Sequence, residues 1–178
     1  MLALAALAAC DDNGGVLGGE RLKPEDVSAI YGVCELRFDP VGSTLPTVDI
    51  RAKAFETDGA GTDPRIAIDR EPQIFELTYV PDGQLTDREL RGTYALRSLT
   101  IVELRFNSSG VSPTPLLIPE NRPLQFEFTE SPQALTLGAS LQYNVARDDY
   151  VALSGSDPAG LADLIPGVLT ARFAKDGC

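Results

Sequence analysis

The side chains with the most chemical potential in this sequence are three cysteines, Cys10, Cys34 and Cys178, and two groups of carboxylates. Glu56, Asp58 and Asp63 lie in a Gly-rich stretch, Glu56-Thr57-Asp58-Gly59-Ala60-Gly61-Thr62-Asp63. Calcium takes six to eight oxygen ligands, and a flexible acidic loop can supply several, but the spacing matches no calcium-loop pattern. An acidic hairpin tip is the simpler reading. Asp148 and Asp149 precede Tyr150, yet neighbouring residues do not face one another as the carboxylates of a glycosidase must. They suit the first turn of a helix, where negative charge meets the positive end of the dipole. Histidine is absent from all 178 residues. Its absence removes the usual general base at neutral pH, every Ser-His or Cys-His nucleophile pair and all imidazole metal sites. There is no Gly-x-Ser-x-Gly elbow and no phosphate-binding loop. Asn107-Ser108-Ser109 matches a glycosylation triplet, a pattern common by chance. We therefore expect no enzyme, no catalytic residue, no metal and no cofactor.

Partners are limited by charge. Asp plus Glu total 26 against 15 Lys plus Arg, a net charge of −11. Nucleic-acid affinity comes largely from cations that neutralise phosphates, so a nucleic-acid partner is not expected. Nor does this balance suit adhesion to anionic lipid by charge. Acidity of this kind keeps an exported protein soluble.

Residues 1–9 are an uncharged apolar run that ends at Cys10. A bilayer-spanning helix needs about 20 apolar residues, so the run is too short to span and has the length of a secretory h-region. Leu7-Ala8-Ala9-Cys10 resembles the lipobox of bacterial lipoproteins, a Leu and two small residues before a Cys. The resemblance implies cleavage before Cys10, diacylglycerol on its sulfur, and attachment to the membrane. It places the protein in the bacterial cell envelope, facing the periplasm or the exterior. A basic n-region is missing before the run, and we expect translation to begin upstream of Met1. Asp11 to Gly19 contains four glycines and little to bury, the composition of a flexible tether. The expected organisation is a signal segment at 1–9, a lipidated Cys and tether at 10–27, and one domain at 28–178.

The elements that must position any site follow from periodicity. Alternation of apolar and polar residues marks strands with one buried face. It places Ile30, Gly32, Cys34, Leu36 and Phe38 on one face, and Val48, Ile50, Ala52 and Ala54 on another. Further runs are Phe75-Leu77-Tyr79, Val102-Leu104-Phe106, Leu124-Phe126-Phe128 and Leu169-Ala171-Phe173. Leu135 to Val145 reads as one longer series, and another strand falls around Tyr94 to Leu99. Short helices are expected at Thr86–Arg91, with Thr86 as N-cap, at Asp148–Leu153 and at Pro158–Leu164. None is long enough to cross between parallel strands, so the sheet should be antiparallel. About eight such strands fit an up-and-down barrel or a β-sandwich. Cys34-Glu35-Leu36-Arg37-Phe38 is echoed by Val102-Glu103-Leu104-Arg105-Phe106, which duplication or chance among amphipathic strands would equally produce.

If Cys10 is lipidated, Cys34 and Cys178 remain as an even pair in an oxidising compartment, where a disulfide is expected. Bonded cysteines hold their Cα atoms within about 7 Å, which would set the first and last strands side by side and close a barrel. So long a loop is worth roughly 4–5 kcal/mol on the chain-entropy model. Gly92-Thr93-Tyr94, with Leu45-Pro46 after an early strand, resembles lipocalin-like bacterial lipoproteins, whose usual Gly-x-Trp near the first strand is missing here. That resemblance implies a small barrel and an apolar ligand in its mouth. Phe38, Leu104, Phe126, Tyr143 and Phe173 are the residues expected to line such a cavity, although inward aromatics in small barrels normally just fill the interior. The first expectation for function is an envelope lipoprotein that binds a small apolar ligand or lipid in its barrel; the alternative is an envelope interaction or structural module with a solid core, and a His-free hydrolase comes last.

Overall fold

The computed structural model describes residues 21–42, 44–56, 63–107, 116–138 and 142–178. Cys10, Asp58, Ser108, Ser109, Ala139 and Leu141, each part of an expectation above, lie outside the described residues.

Three short helices and ten strands follow in chain order. They are α1 (Pro24–Val27), β1 (Ile30–Pro40), β2 (Val48–Asp49), α2 (Ile50–Ala54), β3 (Arg65–Ile68), β4 (Ile74–Tyr79) and β5 (Arg88–Leu96). Then come β6 (Ile101–Phe106), β7 (Pro123–Glu130), β8 (Gln133–Leu137), β9 (Tyr143–Ala146), α3 (Arg147–Ser154) and β10 (Leu164–Ala174). All strand pairs are antiparallel. The meander β1-β3-β4-β5-β6-β7-β8-β10 closes on itself because β10 also pairs with β1. The result is a closed eight-stranded up-and-down barrel, not a sandwich.

Closure rests on the two longest strands. The β1–β10 register runs from Gly32↔Ala174 to Pro40↔Gly167, with an irregularity between Val33 and Glu35. The sulfurs of Cys34 and Cys178 are bonded across a Cα–Cα distance of 5.1 Å and a separation of 144 residues. As expected, that bond ties the first strand to the chain just past the last. The expected facing of β1 needs correction, however. Tyr31 and Val33 are buried, Ile30 is exposed, and Cys34 and Glu35 are both half-exposed before Leu36 and Phe38 turn inward. The extra residue of a β-bulge shifts the alternation by one. Cys34 therefore leaves the apolar face, where the C-terminal tail can reach it.

Four other expectations change. Val48 to Ala54 is not a strand: after Val48–Asp49 the chain turns into α2, and the Asp49 side chain accepts the Ala52 amide at 3.0 Å. Ala, Arg and Lys favour helix, and the Asp N-cap tips a pattern too short to distinguish the two periods. Thr86–Arg91 is not helical, because β5 begins at Arg88. There Leu90, Gly92 and Tyr94 point inward, and Arg91 pairs across the strands with Glu76 at 2.8 Å and along its own strand with Glu89 at 2.9 Å. Pro158–Leu164 is a turn leading into β10, with Gly160 at φ 79°. Leu135 to Val145 is two strands, β8 and β9, lying in succession along the same edge of β10. The Asp148–Leu153 helix is present as α3, while α1 and β3 were not anticipated.

One buried hydrophobic cluster runs through the barrel, and several of its rings meet in pairs. Phe75 and Phe106 meet edge-on at 4.7 Å between centroids, and Phe126 stacks on Phe173 at 5.3 Å. Gly92 lies between Phe75 and Phe106 in the sheet register. A Cβ there would overlap the Phe75 ring and the Arg105 carbonyl oxygen. Phe38 similarly covers Gly167. At one end α1 closes the barrel. Val27 is fully buried, Tyr31 Oη donates to its carbonyl at 2.8 Å, and Gln133 Nε2 donates to the Asp26 carbonyl at 2.7 Å. At the other end β1 and β10 run past the barrel, flanked by β2 and β9. Phe38, Ile50, Tyr143 and Tyr150 pack there, with Tyr150 6.3 Å and Tyr143 5.6 Å from the Phe38 ring.

Two stability outcomes follow. Gly92→Ala should cost about 1–3 kcal/mol by overpacking, while the outward Thr93→Ala stays within about 0.5 kcal/mol, both read from urea unfolding. Cys178→Ser should lower the unfolding free energy by about 2–5 kcal/mol, and reducing agent should then have no further effect.

Candidate functional site

The five residues expected to line a cavity belong to one buried cluster. Phe38, Leu104 and Phe126 are fully buried, Phe173 is 1% exposed and Tyr143 6%. Two pairs of them are in ring contact, at different places in the fold. Phe126 and Phe173 stack on each other inside the barrel, while Phe38 and Tyr143 meet each other in the extension beyond it. The Tyr143 hydroxyl donates to the Leu117 carbonyl, and burial holds its pKa far above the ordinary tyrosine value.

A second tyrosine group lies beneath α1. Burial pushes the Tyr31 phenol up to about 12, partly offset by the hydrogen bond from Gln133. Tyr94 is 4% exposed, and its hydroxyl has no hydrogen-bond partner among the described residues. Burial, with the charges of Asp69 and Glu25, raises its pKa. Neither phenol is a base at neutral pH.

Charged groups sit outside the barrel. Arg97 makes two hydrogen bonds to Glu103, at 2.7 and 2.9 Å. Glu103 has only 10% of its side chain exposed, whereas Arg97 is 53% exposed, so solvent stands just beyond the guanidinium. The Arg97 hydrogen bonds hold the Glu103 carboxyl below the usual range, against the opposing effect of burial and with help from Arg105. At the start of α3, Arg147 Nη2 donates to Asp157, and Asp148 and Asp163 add to the negative surroundings. Asp149 is shifted upward by burial and by Asp148. Glu56 and Asp63 flank residues outside the described set, and among the described residues no group of three or more acidic or cysteine side chains could hold a metal ion.

Among the described residues, a concavity lies at the end of the barrel that carries α3, and none of the five expected residues lines it. It is an open depression of about 640 Å³, lined by Gly42, Thr44, Leu45, Pro158, Ala159, Gly160 and Leu161. Its walls are held in place. Val41 N donates to the Pro166 carbonyl at 2.8 Å, Tyr150 Oη to the Pro46 carbonyl at 2.7 Å, and Arg147 N to the Asp163 carbonyl at 2.9 Å. Gly42 and Gly160 take left-handed φ values of 72° and 79°, conformations that L side chains rarely adopt. Sequence reasoning passed over this surface because backbone and small residues build it. The signal was the turn chemistry at Val41-Gly42 and Asp157-Pro158-Ala159-Gly160.

No protein-family model matches the chain, and no curated protein and no solved structure matches it. Among the described residues no helix is long and apolar enough to cross a membrane.

The Arg97–Glu103 pair has a definite pH signature. Because the folded carboxyl titrates below its unfolded value, its contribution is fully present above the unfolded pKa and is lost as pH falls through the folded one. Glu103→Gln should therefore lower the urea midpoint modestly at pH 7. That difference from the parent protein should shrink on titration from pH 5 downward.

Proposed function

We propose that this chain is an exported protein, lipid-anchored through Cys10, whose barrel is an interaction module of the bacterial cell envelope and not a carrier of an apolar ligand. The observation that carries the second half is the ring-to-ring packing of the residues expected to surround a ligand, Phe126 on Phe173 and Phe38 on Tyr143. A carrier needs its inward side chains to face a void of several hundred Å³. Here they touch one another, and α1 closes one end of the barrel. Export is supported by the Leu7-Ala8-Ala9-Cys10 sequence and by the Cys34–Cys178 bond, since such bonds persist in oxidising compartments. The likeness to lipocalin-like lipoproteins is supported only as far as the barrel itself. Lacking histidine, the chain is read as a binding protein without catalysis.

Both halves can be checked in the native host. The parent protein should fractionate with membranes and carry a diacylglycerol-modified N-terminal Cys10 by mass spectrometry, and Cys10→Ala should move it to the soluble fraction. Native mass spectrometry of the detergent-released protein should show the polypeptide with its own acyl chains alone. A stoichiometric additional lipid that survives purification would overturn the solid-core reading.

A further inference from the structure

The barrel presents two different ends. The described chain enters at Arg21 beside α1, at the end where β1 begins and β10 finishes. The depression lies at the opposite end, where β1 finishes and β10 begins, so an anchor leading into Arg21 would leave it facing away from the membrane.

Its lining is mostly apolar, and Asp157 and Asp163 flank the lining residues 158–161 in the chain, while Arg51 and Lys53 lie on α2, which packs against α3. Leu45, Pro158, Ala159 and Leu161 supply most of the floor. Val41, next to Gly42, and Leu164, three residues past Leu161, are 40% and 56% exposed and add aliphatic surface near the lining in the chain. In sequence, neither 40–47 nor 155–163 contains a Lys or Arg. From Gly138 to Leu164 the single cation is Arg147, and it faces Asp148, Asp157 and Asp163 together, so negative charge remains in excess after pairing. Asp148, Asp157 and Asp163 are all exposed. Such a surface repels an acidic partner and attracts a basic one over a Debye length of about 8 Å at physiological salt.

We propose that the depression lined by Gly42, Thr44 and Leu45 on one side and residues 158–161 on the other docks a cationic segment of a partner protein, one that sets a small aliphatic side chain beside Lys or Arg. The aliphatic group enters against Leu45 and Leu161, and the cations lie over Asp157 and Asp163. Openness suits a protruding segment, and the pinned backbone means that little ordering is needed on binding. Docking here rests on the interaction-module reading and names the class of partner for it.

The test uses the full chain and three short synthetic peptides, Lys/Leu, Lys/Ser and Glu/Leu in alternation, with binding followed by fluorescence anisotropy and mapped by amide NMR. The Lys/Leu peptide should bind, weaken about tenfold between 50 and 300 mM salt, and shift amides of 41–45 and 157–164; the other two should bind at least about fivefold more weakly. Leu164→Ser and Asp163→Asn, both at exposed positions, should each weaken binding about three- to tenfold while the circular dichroism spectrum is retained. Equal binding of Lys/Ser and Lys/Leu, a footprint elsewhere, indifference to both substitutions, or no binding at 50 mM salt would each overturn the docking proposal. Those results leave the solid-core reading standing, whereas shifts at Phe126 and Phe173 on adding the peptide would remove that reading as well.

Discussion

The pairing of β1 with β10 is the constraint on which the rest of this molecule depends. Antiparallel meanders leave a first and a last strand with unpaired amides and carbonyls, and only their mutual pairing removes both edges. Eight residue pairs in register make that closure, and the Cys34–Cys178 bond secures it from outside. Both strands are eleven residues long, longer than any other, so they run past the barrel. Their surplus length carries β2 and β9 and the small core around Phe38 and Tyr150. Gly167 fits this scheme, since the close approach of Phe38 leaves no room for a side chain there.

The disulfide and the bulge belong to one device. An undisturbed period-two strand would have put Cys34 on the same side as Leu36 and Phe38, inside a packed core. The extra residue moves it to the outer side, where a tail of four residues beyond β10 can meet it. The bond spans 144 residues of sequence, so on the chain-entropy model it stabilises chiefly by restricting the unfolded chain.

Much of this architecture was legible in the sequence, and the exceptions have physical causes. Strands whose inward positions are all large, such as Phe75-Leu77-Tyr79 and Leu124-Phe126-Phe128, announce themselves through alternation. In β5 the inward series is Leu90, Gly92, Tyr94, and its middle member has no side chain because a neighbouring ring occupies the space. The alternation is thus interrupted in the sequence while remaining intact in the packing. At Ile50–Ala54 the difficulty is length, since five residues of mixed polarity fit either period and a single carboxylate at Asp49 decides between them. β3, four residues long, offers too short a run to register. The two cysteines were readable as a pair, but the shift in facing at Cys34 was not, because a bulge leaves no compositional mark where no glycine is needed.

Function was harder to read for a related reason. Sequence patterns reveal side chains that face inward, and in this protein several inward-facing rings meet in pairs. The depression is instead made from turns, in which backbone geometry, two left-handed glycines and a tyrosine hydrogen bond set the shape. Turn residues carry little periodic signal, yet connections are where rigid scaffolds place their contacts. Tyr150 shows how the scaffold reaches such a surface: its ring is buried against Phe38, and its hydroxyl holds the backbone of the loop that forms one wall. The same closure that removes the sheet edges therefore fixes the turns at the far end. A barrel with its first and last strands paired has its turns and ends left for contact with other molecules, and the described chain enters at one of those ends.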